Sequence, residues 1–183
     1  MVINREQRWV YVGPPKTAST TLHACLQGSP FFGTVVDTVS QHDAEEPDDV
    51  NGFKVLFSIR NPYARAVSLW RHYTCERGLI SFREFLRWIS TPTYDNAFFS
   101  DTLTSYLRDW MLGRRYLLRQ ESLSSDIELA LQVPCPPLLM LNTTEHADWR
   151  VYYKDDPVAA RLVEASFRSD FNFFGYPVFL TST

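Results

Sequence analysis

The sequence has few cysteines, no excess of positive charge and no long apolar run. Its 183 residues include only three cysteines, Cys25, Cys75 and Cys135, without the spacing of a metal site, which favours a reducing compartment over a disulfide-stapled fold. The formal net charge of −3 argues against a general nucleic-acid or anionic-membrane binder. No 18 apolar residues run together, and the amino terminus lacks the apolar stretch of a signal peptide. These absences predict a soluble, cytoplasmic protein with neither a nucleic-acid nor a membrane partner.

Apolar and aromatic residues, in contrast, are plentiful. Apolar residues make up 45% of the chain, which carries 13 Phe, 9 Tyr and 5 Trp, so the material for a large core is present. The length is that of one α/β domain, and we expect a single domain over residues 1–183. Apolar runs bounded by turn residues predict strands at residues 8–12, 32–39, 53–59 and 115–120. Periodicity and start signals predict helices at residues 19–26, from Pro62, around residues 82–89, at residues 101–112 and at residues 158–167.

The segment VYVGPPKTASTTLHACL, residues 10–26, combines a strand, a Gly-Pro-Pro turn and the start of a helix. This order places backbone N–H groups and the positive end of a helix dipole at the carboxyl edge of a sheet, where an anion binds well. Lys16 adds a charge, and Thr17, Ser19, Thr20 and Thr21 add hydroxyl donors. The nucleoside-triphosphate loop needs a glycine directly before the lysine, and Pro15 stands there instead, so ATP is disfavoured.

A second strand, turn and helix occur in FSIRNPYARAVSLWRHY. Arg60 follows the strand and Ser68 lies on the helix that begins near Pro62. An arginine fork with a serine hydroxyl makes a second anion clamp. Two clamps after successive strands predict a ligand with two separated phosphates.

These two motifs resemble those of the sulfotransferases that use 3′-phosphoadenosine 5′-phosphosulfate (PAPS). PKTASTTL is similar to their 5′-phosphosulfate loop, P-K-[TS]-G-[TS]-[TS]-x-L, and RNPYARAVSLWRHY is similar to their 3′-phosphate signature. Weaker similarity to the carbohydrate-type members continues to Tyr176. The resemblance implies a three-layer α/β/α fold with a central, mostly parallel sheet, of the P-loop NTPase-like sulfotransferase type. Ala18 departs from it, because the family usually has a glycine there and a left-handed backbone at alanine is strained.

The resemblance also implies roles for individual residues. Lys16 would neutralise the charge that develops on the bridging oxygen as the adenosine bisphosphate leaves, and Arg60 with Ser68 would hold the 3′-phosphate. No metal ion is implied. The 5′-phosphate would be held by the hydroxyl and backbone groups of the loop, from Thr17, Ala18, Ser19, Thr20 and Thr21.

The acceptor, a hydroxyl of a carbohydrate or small metabolite, needs a general base. We expect His42 to serve, because it follows the second predicted strand and its ordinary pKa suits proton transfer. The carboxylates of Asp43, Glu45 and Glu46 are the alternatives.

Several further residues are predicted to be structural. His23 lies inside the first helix, and Arg65 is expected to be an ion-pair partner. His72 is read as structural or as a neighbour of the ligand. The aromatic and basic cluster Trp149, Arg150, Tyr152 and Tyr153 is more typical of a core than of an adenine site.

Two other functions fit the sequence less well. A P-loop kinase-like phosphotransferase shares the strand, loop and helix but needs the missing glycine. A catalytically degenerate domain that binds adenosine bisphosphate or a partner without turnover is favoured by Ala18 and by the short chain, and is disfavoured by the presence of Lys16, Arg60 and Ser68 together.

Overall fold

The computed structural model describes residues 1–28, 37–38, 50–108, 114–135, 137–138 and 148–179. The chain divides into two compact units, the first formed by residues 1–60 and 107–144 and the second by residues 61–106 and 145–183. The expectation of a single domain stays a prediction.

The first unit contains a five-stranded sheet. Its strands are β1 (Val2–Asn4), β2 (Trp9–Val12), β3 (Asp37–Thr38), β4 (Lys54–Ile59) and β5 (Arg114–Arg119), in the spatial order β3, β1, β2, β4, β5. β2, β4 and β5 are parallel, whereas β1 is antiparallel to both of its neighbours. The predicted α/β class is confirmed, as are the strands predicted at residues 8–12, 53–59 and 115–120. Of the strand predicted at residues 32–39, only β3 lies within the described residues.

The sheet is mixed instead of mostly parallel because of β1, which the sequence analysis did not predict. A turn at residues 5–8 folds β1 back onto β2, with Val2 opposite Tyr11 and Asn4 opposite Trp9. The buried Asn4 stabilises the turn, since its Oδ1 accepts a 2.7 Å hydrogen bond from the Gln7 N–H. β1 has only three residues, which is too short for a period-2 pattern to be recognised. The sequence therefore predicted β2 and not β1.

Two helices of the first unit pack on one face of the sheet. These are α1 (Ser19–Gly28) and α6 (Leu123–Leu131), where α6 is the sixth of the eight α-helices in the described part of the chain. Their apolar residues form one cluster with those of the strands: Trp9, Tyr11, Leu22, Leu26, Leu56, Leu118, Leu123 and Ile127. Side chains alternate along a strand, so the opposite face carries Ile3, Val10 and Val55, which pack with Val50 and Phe53. The helix predicted at residues 19–26 is confirmed.

The second unit is helical. Its helices are α2 (Pro62–Arg77), α3 (Phe82–Ile89), α4 (Ala97–Ser100), α7 (Pro157–Ser166) and α8 (Arg168–Phe174), and α5 (Leu103–Arg108) begins in it. The starts of α2 and α7 follow the sequence signals, with Pro62 and Pro157 at the first helical position. The four apolar residues that predicted α3 are all buried. The helix predicted at residues 101–112 is present as α5, which begins two residues later than predicted, and residues 109–112 lie outside the described residues.

Aromatic side chains dominate the core of the second unit. Tyr63 meets Tyr153 and Phe171 edge to face, each at a ring separation of 5.0 Å. Phe85 and Phe99 pack in the same manner at 5.8 Å. Such pairs add stabilisation beyond the area they bury, which holds short helices together. Among the helices that the structure describes, none is long and apolar enough to cross a membrane.

Candidate anion-binding site

The predicted phosphate loop lies at the carboxyl end of β2. The loop, residues 13–18 and here called the anion loop, starts after Val12 and ends where α1 begins at Ser19. In the parallel pairing of β2 with β4, Val12 lies opposite Phe57, so Arg60 leaves β4 at the same edge of the sheet. The predicted order of strand, turn and helix is therefore present with both candidate cations at one edge.

Gly13 allows the anion loop to fold closely over β2. A Cβ atom at this position would lie 2.6 Å from Tyr11 Oη and 2.8 Å from Ser19 Cβ. Both distances are shorter than van der Waals contact, and Ser19 Cβ belongs to the first turn of α1 and has little freedom to move. Only glycine fits here without displacing the helix start or the Tyr11 ring.

The backbone of the anion loop alternates in conformation. Lys16 and Ala18 both have a φ of 66°, whereas Thr17 between them does not have positive φ, and helical backbone follows from Ser19. Such alternation turns successive N–H groups toward one side and forms a concave site for an anion. The resemblance to the sulfotransferase loop raised the question of a left-handed backbone at Ala18, and the structure has one there. Lys16 has the same conformation.

The four hydroxyl residues of the loop and helix start differ in burial. Thr17 and Thr21 are buried, with exposures of 0% and 2%, and Ser19 is buried at 8%. Thr20 alone of the four is exposed. An anion arriving from solvent therefore meets the Thr20 hydroxyl and the half-buried Lys16 first.

The Thr17 hydroxyl is engaged inside the protein. It donates to the Pro14 carbonyl at 2.7 Å, and its oxygen lies 2.6 Å from Ser58 Oγ. Ser58 Oγ in turn lies 2.9 Å from Tyr11 Oη. Any contact of Thr17 with a ligand is thus left to its backbone N–H group.

Arg60 approaches the anion loop from the end of β4. Its Nη1 donates to the Lys16 carbonyl oxygen at 3.3 Å, and the residue is half-buried. The side chains of Arg60 and Lys16 carry the two positive charges that the sequence analysis assigned to the two clamps. The structure brings these two residues together.

Ser68 lies on α2 in the second unit, where it is half-buried. Asn61 caps this helix by accepting a 3.0 Å hydrogen bond from the Tyr63 N–H. The helix on which the second clamp depends is confirmed, and the part of Ser68 in that clamp stays a prediction.

The predicted general base, His42, lies outside the described residues, as do its alternatives Asp43, Glu45 and Glu46. The two histidines with described side chains are His23 and His72. His23 packs edge to face on Tyr11 at a ring separation of 5.4 Å, and burial, reinforced by the positive amino terminus, lowers its pKa to about 4. His72 pairs with Glu76 on the surface of α2, at 3.2 Å.

Arg65 is a structural residue of the second unit. It is fully buried, its Nη1 donates to the Asp101 carbonyl at 2.9 Å, and its guanidinium lies 5.3 Å from the centre of the Phe167 ring. Burial lowers its pKa, and the negative charge of Asp170 opposes that shift. The ion-pair role expected of Arg65 is therefore an electrostatic interaction, within the core, with the buried carboxylate of Asp170.

The aromatic and basic cluster near residue 150 is engaged in packing. Trp149 stacks on Tyr63 at 5.7 Å, and Tyr153 donates to the Tyr63 carbonyl at 2.9 Å. Arg150 pairs with Asp148 at 2.9 Å. Beside this cluster is a largely apolar cavity of about 510 Å³, whose lining includes Tyr153 and Lys154 and, among the described residues, no carboxylate or histidine that could act as a base.

Sequence reasoning missed Tyr11 and Ser58. Both side chains lie on the sheet face covered by α1 and α6, because Tyr11 is paired with Leu56 and Ser58 is two residues further along β4. The available signal was Ser58 itself, the hydroxyl residue in the otherwise apolar end of β4, VLFSI. A buried hydroxyl needs a hydrogen-bond partner, but the sequence does not say which residue provides it.

Within the described ranges, no group of three or more histidine, cysteine, aspartate or glutamate residues is placed to hold a metal ion. Comparison with known proteins gives no significant match: no family model, curated protein or solved structure aligns with the chain.

Proposed function

We propose that the protein is a sulfotransferase that transfers the sulfuryl group of PAPS to a hydroxyl of a carbohydrate or small-metabolite acceptor. The observation that carries this proposal is the anion loop, in which positive φ at Lys16 and Ala18 alternates with negative φ at Thr17 directly before a helix. The loop offers N–H donors and a lysine and has no carboxylate, so its chemistry fits a phosphate group.

The proposal includes the three-layer α/β/α, P-loop NTPase-like sulfotransferase fold. It is supported by the parallel run of β2, β4 and β5, with α1 following β2 and α2 following β4. In open α/β sheets, ligands bind beyond the carboxyl ends of the strands, where the anion loop lies.

Two groups of residues would hold the donor. The N–H groups of the anion loop, the Lys16 ammonium and the exposed Thr20 hydroxyl would bind the 5′-phosphate end. Arg60, with Ser68, would bind the 3′-phosphate. Because Arg60 already contacts the Lys16 carbonyl, the two positive charges are held at one sheet edge before any ligand arrives.

PAPS supplies an activated sulfuryl group, and the protein supplies position and charge. The Lys16 ammonium would stabilise the negative charge that grows on the bridging oxygen of the leaving group. His42, or one of Asp43, Glu45 and Glu46, would take the proton from the acceptor hydroxyl. Sulfuryl transfer, like phosphoryl transfer, needs an in-line approach more than covalent help from the protein.

Calorimetric titration with 3′,5′-adenosine bisphosphate tests the proposal. We expect binding without magnesium that is tighter than binding of AMP or ATP. Arg60→Ala and Lys16→Ala should each weaken it about 10- to 100-fold, the usual value of a hydrogen bond to a charged group. Arg5→Ala is the matched control, because this exposed cation lies in the turn at the opposite end of β2 and its loss should leave the affinity unchanged.

Other results would point to the alternative functions. Binding of the bisphosphate without sulfate transfer from labelled PAPS to any of a panel of hydroxyl acceptors would indicate a degenerate binding domain. Binding of ATP with magnesium in preference to the bisphosphate would indicate a kinase-like enzyme.

A further inference from the structure

Three hydroxyl groups lie buried where the anion loop meets the sheet. Tyr11, Thr17 and Ser58 each have an exposure of 0%, and Tyr11 and Ser58 lie on the sheet face that carries the apolar cluster under α1 and α6. Tyr11 Oη lies 2.9 Å from Ser58 Oγ, which lies 2.6 Å from Thr17 Oγ1. The three groups form a continuous chain that no solvent reaches.

The direction of each hydrogen bond follows from counting protons. A hydroxyl has one proton, and that of Thr17 is donated to the Pro14 carbonyl, which can only accept. The short contact between Ser58 and Thr17 therefore uses the Ser58 proton, and the contact between Tyr11 and Ser58 uses the Tyr11 proton. Burial raises the pKa of Tyr11 well above its ordinary value, so this tyrosine stays protonated. The chain thus runs from Tyr11 through Ser58 and Thr17 to the backbone of the anion loop.

The anion loop needs such support because its backbone is strained. Lys16 and Ala18, on either side of Thr17, have left-handed φ values, which are unfavourable for residues other than glycine. Strain of this kind persists only where the surroundings fix the conformation. At Thr17 the loop is held directly by β4, since Ser58 belongs to that strand.

We propose that Ser58, supported by Tyr11, is a positioning residue that holds Thr17 and thereby keeps the anion loop in its anion-binding conformation without a ligand. The identity of the ligand rests on the proposed function, and the positioning role does not. A consequence is that position 17 needs a hydroxyl for the architecture of the loop and not for contact with the ligand. Serine should replace Thr17 well, and the isosteric valine should not.

Two measurements on Ser58→Ala test the proposal. The first is the hydrogen exchange of the Leu22 amide, which donates to the Ala18 carbonyl at 3.1 Å and so reports on the end of the anion loop. We expect the protection factor of this amide to fall about tenfold, which corresponds to the free energy of one hydrogen bond. The second is the affinity for 3′,5′-adenosine bisphosphate, which should fall by a similar factor. Tyr11→Phe leaves the Ser58–Thr17–Pro14 bonds in place and should change both readouts less.

Two controls separate positioning from general damage to the core. Ser100→Ala removes a buried serine hydroxyl of the second unit, which bonds to Asn96 Oδ1 at 3.3 Å, and should leave Leu22 protection and affinity unchanged. The Phe85 amide, which donates to Ser81 O at 3.0 Å at the start of α3, is the reference amide and should not change in Ser58→Ala. Thr17→Val should reproduce the effect of Ser58→Ala. Thr17→Ser should keep the Leu22 protection and the affinity of the unaltered protein.

The outcomes distinguish this proposal from the proposed function. If Ser58→Ala and Thr17→Val leave Leu22 protection unchanged, the positioning role is wrong, whatever the protein binds. If protection falls in both variants while the unaltered protein binds no adenosine bisphosphate, the positioning role stands and the proposed function fails.

Discussion

Among the described residues, the fully buried charged side chains belong to the second unit, which also buries the neutral Asn96 and Ser100. In the first unit the buried polar side chains beneath the anion loop are neutral, the hydroxyls of Tyr11, Thr17 and Ser58. In the second unit a guanidinium and a carboxylate, those of Arg65 and Asp170, are fully buried. Neutral hydroxyls can hold a backbone in one conformation without adding a charge to the site that we propose for an anion. Buried charges are more costly to desolvate and need partners from several elements.

The partners of Asp170 show what its charge does. The carboxylate accepts from the N–H groups of Leu103 and Thr104, at 2.9 and 2.8 Å, and from the Thr104 hydroxyl at 2.7 Å. It thus ties α8 to the first turn of α5, whose helix dipole favours a negative charge there. The buried hydroxyls of the first unit thus hold a loop, whereas the buried carboxylate of Asp170 in the second unit joins two helices.

Asp170→Ala should have the largest effect on stability. The change leaves two backbone N–H groups without their acceptor and removes the carboxylate that faces the buried Arg65 guanidinium. We expect the free energy of unfolding to fall by about 3 kcal/mol, as for other broken buried charge networks. Urea denaturation measures the fall, and a folded variant should keep its affinity for adenosine bisphosphate if this charge only joins helices.

Asp126→Ala in the first unit is the matched control. Asp126 is half-buried and accepts from the Arg119 N–H at 2.7 Å and the Ser122 hydroxyl at 3.0 Å, but among the described residues it faces no fully buried cation. Its loss should cost about 1 kcal/mol. Equal costs for the two aspartates would contradict the distinction between the units.

His23 should make the first unit sensitive to acid. Its folded pKa of about 4 lies below the ordinary value of 6.5, so the unfolded chain binds its proton first as the pH falls. The stability associated with the neutral ring is complete above pH 6.5 and is lost between pH 6.5 and 4. After allowance for solvent screening of a ring that is only half-buried, the loss is about 1–2 kcal/mol.

The measurement is the urea midpoint of the protein and of His23→Gln from pH 7 to pH 4. The variant should lose less stability than the unaltered protein over this range, because glutamine does not titrate. A pH dependence identical in the two proteins would show that His23 is not held neutral.

Much of the fold was predictable because the signals were local. The anion loop and the start of α2 follow apolar runs that end at Gly-Pro-Pro and Asn-Pro, and these residues interrupt strands wherever they occur. The four buried residues of α3 fall at helical spacing, and Asp156 caps α7 by accepting from the Ala159 N–H at 2.9 Å, directly before Pro157. Each of these features is fixed by residues within one or two turns of each other.

The rest depends on long-range pairing that the sequence does not encode locally. Ser58 and Thr17 are 41 residues apart, and their contact exists only because β2 and β4 pair in one register. The short strand β1 is stabilised by β2 and β3 more than by its own three residues. The positive φ at Lys16 has no signal in a lysine, and at Ala18 the only hint was the glycine found there in the sulfotransferases that the motif resembles.

Ala18→Gly should give the smallest change in stability, and it should raise the stability where the substitutions of the aspartates lower it. Glycine adopts the left-handed φ of 66° without the clash of a Cβ atom. We expect this relief to outweigh the two costs of the change, the greater freedom of glycine in the unfolded chain and the loss of a partly buried methyl group. We expect the free energy of unfolding to rise by about 0.5–1 kcal/mol. Ala24→Gly is the matched control, because this exposed alanine lies within α1 and its replacement should lower stability by about 1 kcal/mol. Urea denaturation of the two variants should therefore give shifts of opposite sign, since the same substitution relieves strain in the anion loop and weakens the helix that follows it. Loss of stability in both would mean that the strain at Ala18 is too small to outweigh the added freedom of glycine in the unfolded chain.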